Sequence, residues 1–288
     1  MVTRPAWATQ TELGSVWLIR IMVWLALRLG RAPARALLYP ICLYFMLLPS
    51  PWRRASRAYL PRALGRDSRF ADGWRHCHSF AACLLDRVYF LNGQASRFAI
   101  TVLGGRVIAD LHAGGHGCLL FGAHLGSFEA VRAVGDAAGG LEISLVMYAD
   151  NARKTNAVLN AINPALHLDV IALGRPGAML AVRDRLEGGH LVGLLADRGV
   201  TDDRRIQLPF LGAPAWFPEG PFRMAALLKQ PAVMMFGLYR GGARYDIVFE
   251  ALENSQDIAA SMRQYVARLE HHCRAAPYNW FNFFDFWA

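Results

Sequence analysis

The feature that most restricts the fold is the run Cys118-Leu119-Leu120-Phe121-Gly122-Ala123, unbroken by any polar residue and followed at once by His124. A strand with one wet face alternates apolar and polar residues, whereas a strand covered on both faces does not. The run therefore reads as a central strand of a parallel sheet sandwiched between helices. The rest of the body repeats the unit. Further β-rich runs are Ala99–Leu103, Ile143–Tyr148, Asp169–Leu173, Leu191–Ala196, Ala232–Tyr239 and Tyr245–Glu250. Helix-like segments lie between them at Arg106–Ala113, Ser127–Ala137, Lys154–Ile162, Pro176–Glu187, Gly220–Leu228 and Asp257–Arg274. Such alternation implies an α/β fold with a mostly parallel central sheet flanked by helices. In that architecture chemistry sits just past the C-terminal ends of the strands.

Charge divides the chain. The net charge of +9 lies entirely in residues 1–75, where twelve arginines from Arg4 to Arg75 face only Glu12, Asp67 and Asp72. The remaining acidic and basic residues cancel. With 54% hydrophobic and 18% charged residues, a disordered chain is excluded. No linker stands out, so the expected organisation is a basic, membrane-associated helical region over 1–75 and an α/β domain over 76–288. Two apolar stretches, Leu13–Leu29 and Leu37–Leu48, open the chain. Each is shorter or more interrupted than a clean membrane span, the first by Arg20 and the second by Pro40. A tilted anchor, a helical pair lying in the membrane interface and two buried core helices all remain open. Trp17, Trp24, Tyr39 and Tyr44 favour the interface, as does the arginine cluster at 53–75, which would attract anionic lipid. Nucleic acid is the other partner for positive charge. A neutral body and the lack of any nucleic-acid-binding signature argue against it.

The five cysteines, Cys42, Cys77, Cys83, Cys118 and Cys273, form no CxxC pair, which implies reduced thiols rather than a disulfide framework. His76-Cys77-His78 has the composition of a metal cluster. Read as a strand, it would point its side chains to opposite faces, and no second ligand pair follows, so no metal is expected.

The chemistry-bearing segment is His124-Leu125-Gly126-Ser127-Phe128-Glu129. Ser127 suits a helix N-cap, which places Glu129 in the first turn of the next helix. A turn at Leu125-Gly126 would return Glu129 to the imidazole, where it would accept a hydrogen bond and leave the other ring nitrogen as a base. With no protein nucleophile in the segment, a substrate hydroxyl is the natural one. Ser127 lacks the Gly-x-Ser-x-Gly elbow of a nucleophilic serine. The alternative is a core histidine satisfied by hydrogen bonds. Asp197, at the end of the run Leu191–Ala196, stands where an α/β fold places site residues or, equally, turn caps.

The segment resembles the His-x4-Asp/Glu signature of the lysophospholipid acyltransferase superfamily. The chain as a whole resembles its branch of bacterial lipid A late acyltransferases, the lauroyl/myristoyl transferases. The order of features is similar: apolar N-terminus, basic segment, strand–His-x4-Glu–helix, a strand ending in Asp197-Arg198-Gly199, then Leu208-Pro209-Phe210-Leu211-Gly212 and Gly220-Pro221. The resemblance implies a glycerol-phosphate-acyltransferase-like fold at the cytoplasmic face of the inner membrane. It implies transfer of a fatty acyl group from acyl carrier protein, or acyl-CoA, to a hydroxyl of a lipid-like acceptor, with no cofactor. His124 would be the general base and Glu129 its orienting carboxylate. Loop amides near Gly126 and the charge of Arg198 would stabilise the oxyanion, Asp197 would lie in the substrate site, and Arg223 would reach an anionic substrate group. Phe217-Pro218-Glu219-Gly220 also matches a motif of the glycerol-phosphate acyltransferases, but it stands 93 residues after His124 and is set aside. The aromatic ending Pro277-Tyr278-Asn279-Trp280-Phe281-Asn282-Phe283-Phe284-Asp285-Phe286-Trp287 resembles a side branch associated with aryl polyene clusters. It would pack against the body or line an acyl pocket. A thioesterase using the same dyad on water, and a non-catalytic lipid-binding factor, are the competing functions.

Overall fold

The computed structural model describes residues 16–48, 50–137, 143–148, 157–159, 161–165, 169–174, 176–199 and 204–287. The apolar runs form strands β1 (Ala99–Leu103), β2 (Cys118–Gly122), β3 (Ile143–Tyr148), β4 (Val170–Leu173), β5 (Leu191–Leu195), β8 (Ala232–Tyr239) and β9 (Arg244–Ala251). They make one seven-stranded sheet in the order β1-β9-β8-β2-β5-β3-β4. Every neighbouring pair is parallel except β8 with β9. β2 lies near the centre and is buried along its whole length, as its lack of alternation requires. Helices α5 (Gly105–Ala113), α6 (Phe128–Ala137), α7 (Ala178–Glu187), α8 (Gly220–Leu228) and α9 (Ile258–Ala275) connect and flank the strands. The helix expected over 154–162 lies partly outside the described residues; 157–159 and 161–162 are helical.

A hairpin that the strand–helix alternation did not suggest joins β5 to α8. Its strands are β6 (Arg205–Phe210) and β7 (Ala213–Pro218). The two-residue turn Leu211-Gly212 has φ of 52° and 81°, the double positive-φ geometry that matches the twist of paired strands. Pro209 and Pro214 face one another in the ladder, tolerable because a two-stranded ribbon consists only of edges.

The N-terminal residues form α1 (Val16–Leu29), α2 (Arg31–Leu47), α3 (Pro51–Leu64) and α4 (Phe70–Leu91). The position 75/76, where composition changes, falls inside α4, so the helical region and the α/β body share one continuous helix. His76, Cys77 and His78 accordingly lie on a helix and not on a strand. α2 buries Ala34, Leu38, Cys42 and Met46 at a spacing of four, one helical stripe packed on α4. Arg31 ties that packing down. Its guanidinium grips the fully buried Asp86 of α4 at 2.7 and 2.8 Å, and Tyr245 of β9 donates to the same carboxylate at 2.9 Å. Tyr89 donates to the carbonyl of Ala26 in α1 at 2.8 Å. Part of the N-terminal positive charge is thus structural. The opposite faces of α1 and α2 expose Trp24, Leu29, Tyr39, Leu43, Tyr44 and Leu47. Among the described residues no single helix is long and apolar enough to cross a membrane. α2 and α3 pass that test only together, bent by 96°.

At one point two backbones touch through glycines. Gly126, just after β2, has φ of 74°, and a Cβ there would sit 1.8 Å from the carbonyl oxygen of Gly237 in β8. A Cβ on Gly237 would meet the carbonyl oxygen of Ser127 at 2.1 Å. The approach lets the amide of Ser127 donate to the Gly237 carbonyl at 2.8 Å. Backbone against backbone leaves no flexible atom to yield, so Gly126→Ala and Gly237→Ala each cost at least about 3 kcal/mol. Gly220→Ala, with open space around it, changes stability by less than about 0.5 kcal/mol. Thermal unfolding monitored by circular dichroism measures both.

Candidate active site

β2 and β5 are parallel neighbours whose register pairs Cys118 with Leu191 and Gly122 with Leu195. Continued two residues past the strands, that register sets His124 opposite Asp197. The amide of Ala196 donates to the Gly122 carbonyl at 2.9 Å and carries the pairing beyond the last strand residue. The two side chains meet: His124 Nδ1 lies 2.8 Å from Asp197 Oδ1, and the His124 amide donates to Oδ2 at 3.1 Å. A carboxylate only accepts, so Nδ1 carries the proton and Nε2 keeps a free lone pair. The His124 side chain retains 31% exposure while Asp197 has none, which leaves the imidazole reachable and its partner sealed.

Asp197 has two further donors, Trp280 Nε1 and Asn282 Nδ2, each at 3.1 Å. Both come from the C-terminal segment, which runs beside the His124 loop as an added strand. Leu125 bridges Trp280, the Phe281 amide donates to the His124 carbonyl at 2.7 Å, and the Gly126 amide donates to the Asn279 carbonyl at 2.9 Å. Trp280 is fully buried and is braced from behind by His76. His76 Nε2 donates to the Trp280 carbonyl at 2.9 Å, and Nδ1 accepts from the Ser56 hydroxyl at 2.9 Å. That tautomer follows because the carbonyl can only accept. Both ring nitrogens of His76 are engaged, and among the described residues no group of three His, Cys, Asp or Glu side chains could hold a metal.

Arg198 follows Asp197 and is anchored in the same segment. It donates to Asn282 Oδ1 and to the Phe281 carbonyl, and its guanidinium lies 5.0 Å from the centre of the Phe284 ring. Burial lowers its pKa to about 10 against the opposing pull of Asp197, so it stays charged. Burial also lowers the His124 pKa below the ordinary imidazole value; the Arg198 charge adds to this and Asp197 opposes it. Burial would raise the Asp197 carboxyl, but its contacts with the His124 ring and amide and the charge of Arg198 more than reverse that and hold it well below the usual carboxylate range. At neutral pH the cluster is an anion, a neutral imidazole and a cation.

The turn at Leu125-Gly126 does not return Glu129 to the imidazole. Glu129 pairs with Arg87 of α4 at 2.7 Å and takes a 3.3 Å hydrogen bond from Ser127. The physical reason is direction: Glu129 sits in the first turn of α6, which leans on α4, and a half-buried cation is available there. Ser127 caps α6 as expected, accepting from the Ala130 amide at 3.2 Å, and is itself buried. The Gly126 and Ser127 amides are engaged with the Asn279 and Gly237 carbonyls, so neither of these two is free to serve an oxyanion. Arg223 stands in the first turn of α8, 3.5 Å from Glu219, and is not joined to the His124 cluster. Cys118 lies in β2, and all five cysteines are buried and free.

Trp280 and Asn282 were not anticipated as parts of the site. The signal was present: Asn279 and Asn282 interrupt a segment otherwise too aromatic to be exposed, and buried amides need partners. The pairing of His124 with Asp197 was legible too, since Gly122-Ala123-His124 and Leu195-Ala196-Asp197 end two apolar runs in the same way.

No curated protein matches the chain. A family model described as bacterial lipid A biosynthesis acyltransferase matches residues 12–288. That span takes in the helices α1 to α4, the strand ends that bear His124 and Asp197, and the C-terminal segment that seals them. Because the match runs through every part from which the site is built, the chain belongs to the bacterial lipid A biosynthesis acyltransferase family.

Proposed function

We propose that the protein transfers a fatty acyl group from a thioester, carried by acyl carrier protein or by coenzyme A, to a hydroxyl of a lipid-like acceptor at the cytoplasmic face of the inner membrane. His124 is the general base, and Asp197, rather than Glu129, holds and orients it. The observation that carries this reading is the 2.8 Å contact between His124 Nδ1 and a carboxylate with no exposure. It fixes the tautomer and aims a lone pair on Nε2 outward.

In the reaction, Nε2 takes the proton of the acceptor hydroxyl as its oxygen attacks the thioester carbonyl. The oxygen of the tetrahedral intermediate carries the developing charge. Arg198 is the group suited to stabilise it, since its Nη1 makes no hydrogen bond among the described residues. The carbon–sulfur bond then breaks, the imidazolium returns its proton to the leaving thiolate, and an ester and a free thiol result. No cofactor enters. The exposed apolar faces of α1 and α2 suit a membrane surface where such an acceptor resides.

His124→Ala lowers kcat by roughly 10²–10⁴-fold, measured as acceptor-dependent thiol release from an acyl thioester. Thiol release that needs no acceptor would identify a thioesterase instead. Asp197→Asn leaves the ring unable to hold the productive tautomer and costs a similar factor. Glu129→Gln, remote from the imidazole, costs less than about tenfold. The reverse ranking would assign the orienting role to Glu129.

The pH profile follows from the charges. Activity requires neutral His124, so it falls as pH drops through a value below the ordinary imidazole range. Arg198→Gln removes a cation that disfavours the imidazolium. The imidazole pKa then rises, and the acidic limb of kcat/KM moves to higher pH. An unmoved limb would show that Arg198 does not act on His124.

A further inference from the structure

α3, the start of α4 and the end of α2 line an open cavity of about 360 Å³, within the size range of ligand sites. Arg53, Arg57 and Arg69 line it beside the apolar side chains of Met46, Leu60 and Phe70, and no carboxylate lines it. Arg53 gives one N–H to the Leu48 carbonyl at 3.1 Å. Arg57 and Arg69 are exposed and form no ion pair among the described residues. Elsewhere in the same region arginines do find counter-charges: Arg31 on Asp86 and Arg66 on Asp72, at 2.7 and 2.9 Å. Three arginines line one cavity with no carboxylate among its lining residues, and an anion with several oxygens suits such a set.

The apolar part of the cavity decides what kind of anion. A free phosphate gains nothing from Met46, Leu60 or Phe70. Met46 belongs to the last turn of α2, whose outward residues Leu43 and Leu47 are 46% and 68% exposed. Leu47 adjoins Met46 in that last turn, so among the described residues an exposed apolar helix face begins next to the cationic cavity. Charge and neighbouring apolar face together fit an amphiphile with an anionic head and hydrocarbon tails. We propose that this cavity seats the phosphate of an anionic glycerophospholipid, whose acyl chains lie along the outer face of α2 in the bilayer. None of His124, Asp197, Arg198 or Glu129 lines it, so it is a lipid site separate from the one proposed for acyl transfer.

The test is co-sedimentation of the full chain with phosphatidylcholine vesicles, with or without phosphatidylglycerol, in the absence of any acyl donor. The readout is binding alone, so its failure would not touch the acyl-transfer proposal, nor the reverse. Phosphatidylglycerol should tighten binding. Arg57→Ala with Arg69→Ala should weaken that binding by roughly 30-fold, about fivefold per arginine near a lipid surface. Arg57→Lys with Arg69→Lys should fold alike and retain more of it, and inorganic phosphate should not compete. The control removes equal charge from α5 and α9 with Arg106→Ala and Arg263→Ala. The proposal is overturned if that control loses as much affinity as the cavity variant, if the cavity variant binds like wild type, or if inorganic phosphate displaces the protein from the vesicles.

Discussion

A carboxylate moved out of water costs several kcal/mol unless its lone pairs are fully used. Asp197 has no exposed surface and meets that condition with four donors: the His124 amide and ring, the Trp280 indole and the Asn282 amide. They come from the end of β2 and from a segment more than eighty residues further along the chain. One anion thus binds the ends of two central strands and the C-terminus into a single unit. Removing any donor leaves charge underpaired in a closed space, so the geometry tolerates little looseness. The glycine contact between Gly126 and Gly237 serves the same unit from the other side. It brings β8 close enough for the His124 loop to be hydrogen-bonded on both flanks.

The sheet was legible because burial on both faces forces unbroken apolar runs, and such runs are short and separated by helix-length segments. β2, β5 and β8 fall where those runs lie. The β6–β7 hairpin was not legible by the same rule, since Arg205-Ile206-Gln207-Leu208 alternates and its Leu-Gly turn lacks the usual Asn-Gly or Asp-Gly. His124 and Asp197 could each be named from their places at strand ends. Their partnership depends on which strands are neighbours, and that order is set by packing across the whole sheet. Glu129 shows the converse. Closeness in sequence placed it beside His124, but a helix that starts at Phe128 carries its first turn toward α4, where Arg87 waits.

Net charge was informative only once its partners were known. Of the twelve arginines before residue 76, Arg31 and Arg66 serve the fold through Asp86 and Asp72. Arg62 and Arg75 lie over the rings of Trp287 and Tyr278 in the C-terminal segment. These four explain how a segment rich in like charge packs at all. Arg35 likewise donates to the Gly242 carbonyl and lies over the Tyr239 ring. Arg53, Arg57 and Arg69 remain at the start of α3 and α4 for an external anion, and their position beside the exposed face of α2 gives that charge a direction.

The two histidines of the site region divide its pH behaviour. His76 is completely buried, and burial lowers its pKa to about 4, with the Trp280 carbonyl opposing. It therefore stays neutral over the whole range in which such a protein works, and its bonds to Ser56 and Trp280 persist there. The back wall of the site, from α3 through His76 to Trp280 and Asp197, is insensitive to pH in that range. His124 differs in having one nitrogen on Asp197 and the other free. A carboxylate beside it favours the imidazolium, while burial and Arg198 disfavour it. The balance leaves a neutral base below the ordinary imidazole pKa, held against a wall that does not titrate. Proton transfer can then occur at His124 without disturbing the hydrogen bonds that aim it.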